Sequence, residues 1–151
     1  MTFKDDVYAL VVDDDEVAAE TTSMIIDEKT DYVSSEYVTS GEEALKMLES
    51  ENIDAVVSDY SMPGMDGIEL LDEVNDNYDI PFILYTGNGS EDLAVQALRS
   101  GAEDYVTKDG AATFEALANR VENAAIKKIA EEELSIFKEG VENSGHAIQV
   151  T

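Results

Sequence analysis

No cysteine occurs in this sequence, which excludes a disulfide framework, thiolate catalysis and thiolate metal sites. No apolar run approaches the roughly 20 residues that span a bilayer, and the acidic residues 1–6 do not read as a signal peptide. A cytoplasmic protein with no membrane partner is expected. Low-complexity stretches are missing, and so is any repeat beyond an alternation of short apolar runs and helical periodicities. Basic residues are scarce, nine against 35 acidic ones, for a net charge of −26. Such a surface repels phosphate backbones, so a nucleic acid partner is not expected for this chain.

What is present is enough for a core. Hydrophobic residues make up 44% of 151 positions, which suits one domain and a little more, and not a disordered chain. The acids are spread along the chain and not confined to a tail. Their self-repulsion is weakened at molar salt, which suggests a cytoplasm adapted to high salt, with an ordinary acidic protein as the alternative.

The order of elements is legible. Residues 7–12 read as a buried strand ended by Asp13, Asp14 and Asp15. Val17, Thr21, Met24, Ile25 and Glu28 follow at helical spacing, with the apolar members expected to face a sheet. Residues 32–38 form a more polar, edge-type strand. Ser40 and Glu43 make a capping box for a helix with Ala44, Leu45 and Leu48 inward. The run from Ala55 to Val57 is a third strand stopping at Asp59. Met62, Pro63 and Gly64 signal a turn, and Asp66 with Glu69 caps a helix carrying Ile68, Leu71 and Val74 on one stripe. Residues 81–85 are a fourth strand. Ser90 then caps a helix burying Leu93, Ala94, Ala97 and Leu98. Residues 104–106 are a short fifth strand, and a long helix begins near Ala111 with Phe114, Leu117, Val121, Ala124 and Ala125 on its stripe. Five β-α units in a row predict an α/β protein with a doubly wound parallel sheet and helices on both faces.

On that frame Asp13 and Asp14 follow the first strand, Asp59 the third, Thr86 the fourth and Lys108 the fifth, all at the carboxyl edge. With strand order 2-1-3-4-5 the first and third strands flank the topological switch point, and three carboxylates converge there. Like charges so close need a shared cation, and oxygen-only ligation suits Mg²⁺, with Mn²⁺ or Ca²⁺ as alternatives. The arrangement reads as a site for forming an aspartyl phosphate.

The motifs V-V-D-D-D, S-D-Y-S-M-P-G-M-D-G, Y-T-G and D-Y-V-T-K together resemble the receiver domain of two-component response regulators, over residues 5–121. The resemblance implies a flavodoxin-like (βα)5 fold phosphorylated by a sensor histidine kinase. It implies Asp59 as phosphoacceptor, with Mg²⁺ held by Asp13, Asp14, Asp59 and the backbone carbonyl of Ser61. Thr86 would be the switch hydroxyl, Lys108 the ion-pair partner of the phosphoryl group, and Tyr105 an aromatic that swings inward. Ser61 and Asn88 would tune dephosphorylation, which is expected to be slow and the only catalysis by the chain. One departure stands out: the family usually follows its lysine with a cis proline, and here Asp109 takes that place, leaving cis or trans open.

Two rivals share the architecture. A haloacid-dehalogenase-type phosphatase also uses an aspartate nucleophile, Mg²⁺, a hydroxyl and a lysine, and Asp13-Asp14-Asp15 holds a D-x-D, but Asp59 would then have no role. A flavodoxin-like FMN carrier needs a phosphate loop where this chain has acids. Past the receiver-like residues 1–121, residues 122–135 read as a helical linker and 136–151 as the opening of a PAS-like domain cut short. That implies an output module farther along a longer chain, and leaves open a homodimer through the fourth or fifth helix. His146, the only histidine, stands in G-H-A-I and not in a phosphotransfer context, so it is placed structurally at a strand start.

Overall fold

A computed structural model of the chain describes residues 7–87, 89–109 and 113–143, with side chains through residue 133. Strands β1 (Val7–Val12), β2 (Val33–Val38), β3 (Ala55–Ser58), β4 (Phe82–Thr86) and β5 (Asp104–Thr107) alternate with five helices. These are α1 (Glu16–Lys29), α2 (Gly41–Ser50), α3 (Gly67–Asn77), α4 (Glu91–Arg99) and α5 (Thr113–Asn143). The sheet is parallel throughout, in the order β2-β1-β3-β4-β5, as the sequence predicts. β2 is an edge strand, which accounts for its Ser, Ser and Glu. The central β3 is buried at every position, and its near-continuous apolar run is what a parallel strand covered on both faces requires.

Period-two alternation divides the core. Leu10, Val12, Val56, Phe82 and Leu84 pack on one face with Leu70, Leu71 and Val74 of α3 and Leu93 of α4. Val7, Ala9, Val11, Val57 and Ile83 pack on the other with Ile26 of α1 and Leu117, Val121 and Ala125 of α5. Fully burying a Leu or Phe removes enough apolar surface from water to stabilise the fold by about 1.5–3 kcal/mol. The helices start where the sequence places caps. Ser40 accepts the Glu43 amide, Ser90 the Leu93 amide, and Asp66 and Glu69 close a reciprocal capping box.

Three inward stripes differ from expectation. On α1 the buried residues are Ala19, Thr22, Ser23 and Ile26, while Val17 is 75% and Met24 52% exposed and Thr21 and Glu28 also face outward. The helix is turned because the face it shares with β2 takes small and polar side chains: Ser23 Oγ lies 2.6 Å from Ser35 Oγ, which also donates to Asp27. On α4 Leu93 and Ala97 are buried and Leu98 is exposed. At the start of α5 Phe114 is exposed, and the inward stripe begins at Leu117. α5 continues without a break for 31 residues, about 46 Å at 1.5 Å per residue. The stretch read as a PAS-like opening therefore falls partly on this helix and, with His146, partly outside the described residues. Among the described residues no helix is long and apolar enough to cross a membrane.

Candidate functional site

The carboxyl ends of β1 and β3 are adjacent, because the Asp59 amide donates to the Val12 carbonyl (2.9 Å). That pairing brings Asp13 and Asp59 to the same end of the switch point. Asp13 is buried, Asp59 half-buried and Asp14 exposed, and ligand oxygens of all three carboxylates lie within 4.8 Å of one another. Asp13 is fixed from two sides, accepting the Asp15 amide at 3.0 Å and the Lys108 ammonium at 2.7 Å. Lys108 Nζ also stands 3.8 Å from Asp59 Oδ2. The third acid of the run serves the helix instead, since the Asp15 carboxylate accepts the Val17 and Ala18 amides and caps α1.

Asp59 is held by its own neighbourhood. Its Oδ1 accepts the Tyr60 amide at 2.8 Å, and the loop that follows closes with the Gly67 amide on the Tyr60 carbonyl. Gly67 is required there, since a Cβ would overlap the Asp59 carbonyl and stand 2.9 Å from both Leu84 Cδ1 and Tyr60 Cα. Burial pushes the Asp59 carboxyl above its ordinary range and the Asp13 charge adds to this, while Lys108, the Thr86 hydroxyl and the Tyr60 amide pull it down. Burial dominates, so the ionised carboxylate is a group the fold keeps at a cost.

The Lys108–Asp109 peptide is trans, as no cis bond occurs among the described residues. The lysine nevertheless reaches the acids, because its amide continues the β4–β5 ladder onto the Thr86 carbonyl at 2.9 Å. Its ammonium lies 5.3 Å from the centroid of the Tyr85 ring, a contact that the motifs do not announce. The available signal was parity: Tyr85 stands two residues past Ile83, on the face that carries Asp13 and Asp59. Thr86, on the opposite parity, is fully buried and close enough to act on the Asp59 carboxyl. Tyr105 packs against the α3/α4-side core with its hydroxyl buried and without a hydrogen-bond partner among the described residues. It fits under Gly89, where a Cβ would overlap that hydroxyl. Ser61 is exposed in the β3–α3 loop, and Asn88 lies outside the described residues.

The donor set passes the test for a hard divalent cation. It offers oxygen ligands only, three of them carboxylates in one cluster, with one ammonium among them. The site does not suit a D-x-D phosphatase, because Asp15 is committed to the cap of α1.

Fold and site together define a flavodoxin-like α/β protein with an acidic pocket at its carboxyl edge. The sequence profile of the response regulator receiver domain matches residues 9–122, and the chain belongs to that family, the phosphorylatable receiver domains of two-component systems, which bind Mg²⁺ at an acidic pocket. Among solved structures it is similar to the receiver domain of a Francisella response regulator, at 30% identity and TM-score 0.71, covering 80% of this chain and 98% of that one. A response regulator receiver domain protein from Methanospirillum hungatei shares 25% identity at TM-score 0.73, over 83% and 98% of the two chains. The signal receiver domain of a signal transduction histidine kinase from Syntrophus aciditrophicus shares 31% at TM-score 0.69, over 80% and 91%. No curated protein sequence matches the chain.

Proposed function

We propose that Asp59 accepts a phosphoryl group from a phosphohistidine of a sensor kinase, or from a small phosphodonor, and that the chain thereby switches between two surface states. The observation that carries this reading is the cluster of Asp13, Asp14 and Asp59 with Lys108 bridging Asp13 and Asp59. In the transfer an Asp59 carboxylate oxygen forms the new P–O bond and the donor's P–N or P–O bond breaks, its electron pair leaving with the donor. The carboxylate form of Asp59 is the attacking species, and Lys108, the Thr86 hydroxyl and the Tyr60 amide favour that form against burial. Asp13, Asp14, Asp59 and the Ser61 carbonyl would hold Mg²⁺. When bound, the ion supplies positive charge to phosphoryl oxygens at the moment negative charge gathers there. Lys108 then turns from Asp13 towards the phosphoryl group, and the Thr86 hydroxyl donates to it from the other face of the sheet. Tyr105 reads the new position of Thr86 on the α4–β5 surface, so the added charge biases a two-state element. Ser61 and Asn88 tune the slow loss of the phosphoryl group. Output passes along α5 to a module such as a PAS-like domain or to a partner, and a homodimer through α4 or α5 fits the same scheme.

Incubation with phosphoramidate and Mg²⁺ is expected to add one phosphoryl group to the wild type, none after chelation of the metal, and none to Asp59→Asn. Equal labelling of Asp59→Asn, or a wild-type mass that does not change, would overturn the assignment.

A further inference from the structure

The ring of Tyr85 lies beneath the ammonium of Lys108, the one cation of the site among the described residues. By period two Asp13, Asp59 and Tyr85 follow Val11, Val57 and Ile83, and Lys108 follows Val106, all members of the core layer under α1 and α5. The register sets Tyr85 opposite Val106, so the ring stands beside the path Lys108 takes from the end of β5 to the acids. Tyr85 is buried in that layer, only 4% exposed, so the ring has no freedom to leave. The ammonium is 2.7 Å from Asp13, 3.8 Å from Asp59 and 5.3 Å from the ring centroid. Two carboxylates and one aromatic face thus surround it, and the ring is the member that carries no formal charge and takes no part in holding metal or phosphate.

We infer that Tyr85 is a positioning residue for Lys108, its ring face holding the ammonium between Asp13 and Asp59 so that it is ready for the phosphoryl group. The inference rests on the reading of Asp59 as phosphoacceptor. A flexible four-carbon stem leaving a strand end through a trans peptide has several rotamers to lose, and a fixed ring face removes some of them. The ring quadrupole also attracts the ammonium wherever it sits over the face, so Lys108 can slide from Asp13 to the phosphoryl group without losing the contact. A salt-bridge partner in place of the ring would tie it to one position.

The test compares Tyr85→Leu, which removes the ring, with Tyr85→Phe, which keeps it. Phosphorylation by phosphoramidate with saturating Mg²⁺ is expected to slow about three- to tenfold in Tyr85→Leu and to stay near the wild-type rate in Tyr85→Phe. In a Lys108→Ala background Tyr85→Leu should add no further loss, whereas damage to the core would persist there. Equal rates for Tyr85→Leu and the wild type, or an undiminished loss in the Lys108→Ala background, overturn the inference. The Lys108 ε-methylene proton resonance supplies a readout that needs no phosphorylation. It should be shifted upfield by ring current in the wild type and Tyr85→Phe and revert in Tyr85→Leu; a resonance that does not respond overturns the contact itself. A wild type that takes no phosphoryl group would defeat the reading of Asp59, and the resonance would still decide on Tyr85.

Discussion

At the scale of single residues the site is a balance of charges, with Lys108 pairing with Asp13 and Asp59 in a cluster of three acids, of which burial disfavours the charge of Asp59. The convergence of Asp13, Asp14 and Asp59 was legible in the sequence because strand ends are visible as acids closing an apolar run. The part of Asp15 could not, because capping depends on which residue of an acidic run precedes the first helical turn. Tyr85 escaped for a different reason: an aromatic in a buried strand looks like core, and only the reach of Lys108 gives it a second role. A carboxylate at the opposite end of β3 provides a pH test. Asp54 accepts the Tyr8 amide at 2.9 Å and donates its own amide to the Tyr8 carbonyl at 2.8 Å, clipping β3 to β1. Burial raises its pKa above the ordinary carboxyl range, with the Tyr8 amide and Lys128 opposing and Glu132 assisting. The folded state therefore holds this proton more tightly than the unfolded one, and stability falls as pH rises from about 3.9 through the raised value. Asp54→Asn, which keeps an acceptor for Tyr8, should gain most over the wild type at neutral pH and lose the advantage below about pH 3.9. Urea midpoints across pH measure this, and an advantage that grows towards acid would contradict it.

At the scale of elements, caps and strand phases were readable and helix rotation was not. Asp66 with Glu69, Ser40 and Ser90 are local signals that need no tertiary information. Which stripe of α1 faces inward is decided by β2, whose Ser35 accepts a close neighbour, and so the large Val17 and Met24 were displaced outward by Ala19 and Ser23. The junction of β3 and α3 matters most to function, because α3 begins against the backbone of the proposed phosphoacceptor. Gly67→Ala must move either the first turn of α3 or the Asp59 carbonyl. It is expected to cost about 1–3 kcal/mol, as overpacking of a filled space does, and to slow phosphorylation of the folded fraction. A variant with wild-type stability and rate would show that the contact is not tight.

At the scale of the whole molecule the dominant quantity is the net charge of −26. Cations are used sparingly on the described surface: Arg120 ties α5 to Asp104 at 2.6 Å, and Lys127 ties it to Glu103 at 3.4 Å. These pairs hold α5 to the start of β5, but they are exposed and contribute little individually. Self-repulsion among the remaining acids is long-ranged, and it is screened as the Debye length falls from about 10 Å at 0.1 M salt to about 3 Å at 1 M. Thermal midpoints should rise with NaCl over that range, by about 2–4 °C for each ~1 kcal/mol relieved. A midpoint independent of salt would mean that the acids are paired or too far apart to matter. Charge of this kind was plain in the composition, as was the order of the sheet, since both follow from sums and patterns and not from the details of packing. Phosphorylation involves one carboxyl group within that field, and mapping the modified residue tests it most directly. After phosphorylation with Mg²⁺ present, borohydride reduction of the acyl phosphate and peptide mass spectrometry should find the change at Asp59 alone. Modification at Ser61, Thr86 or another acid, with Asp59 intact, would contradict the account.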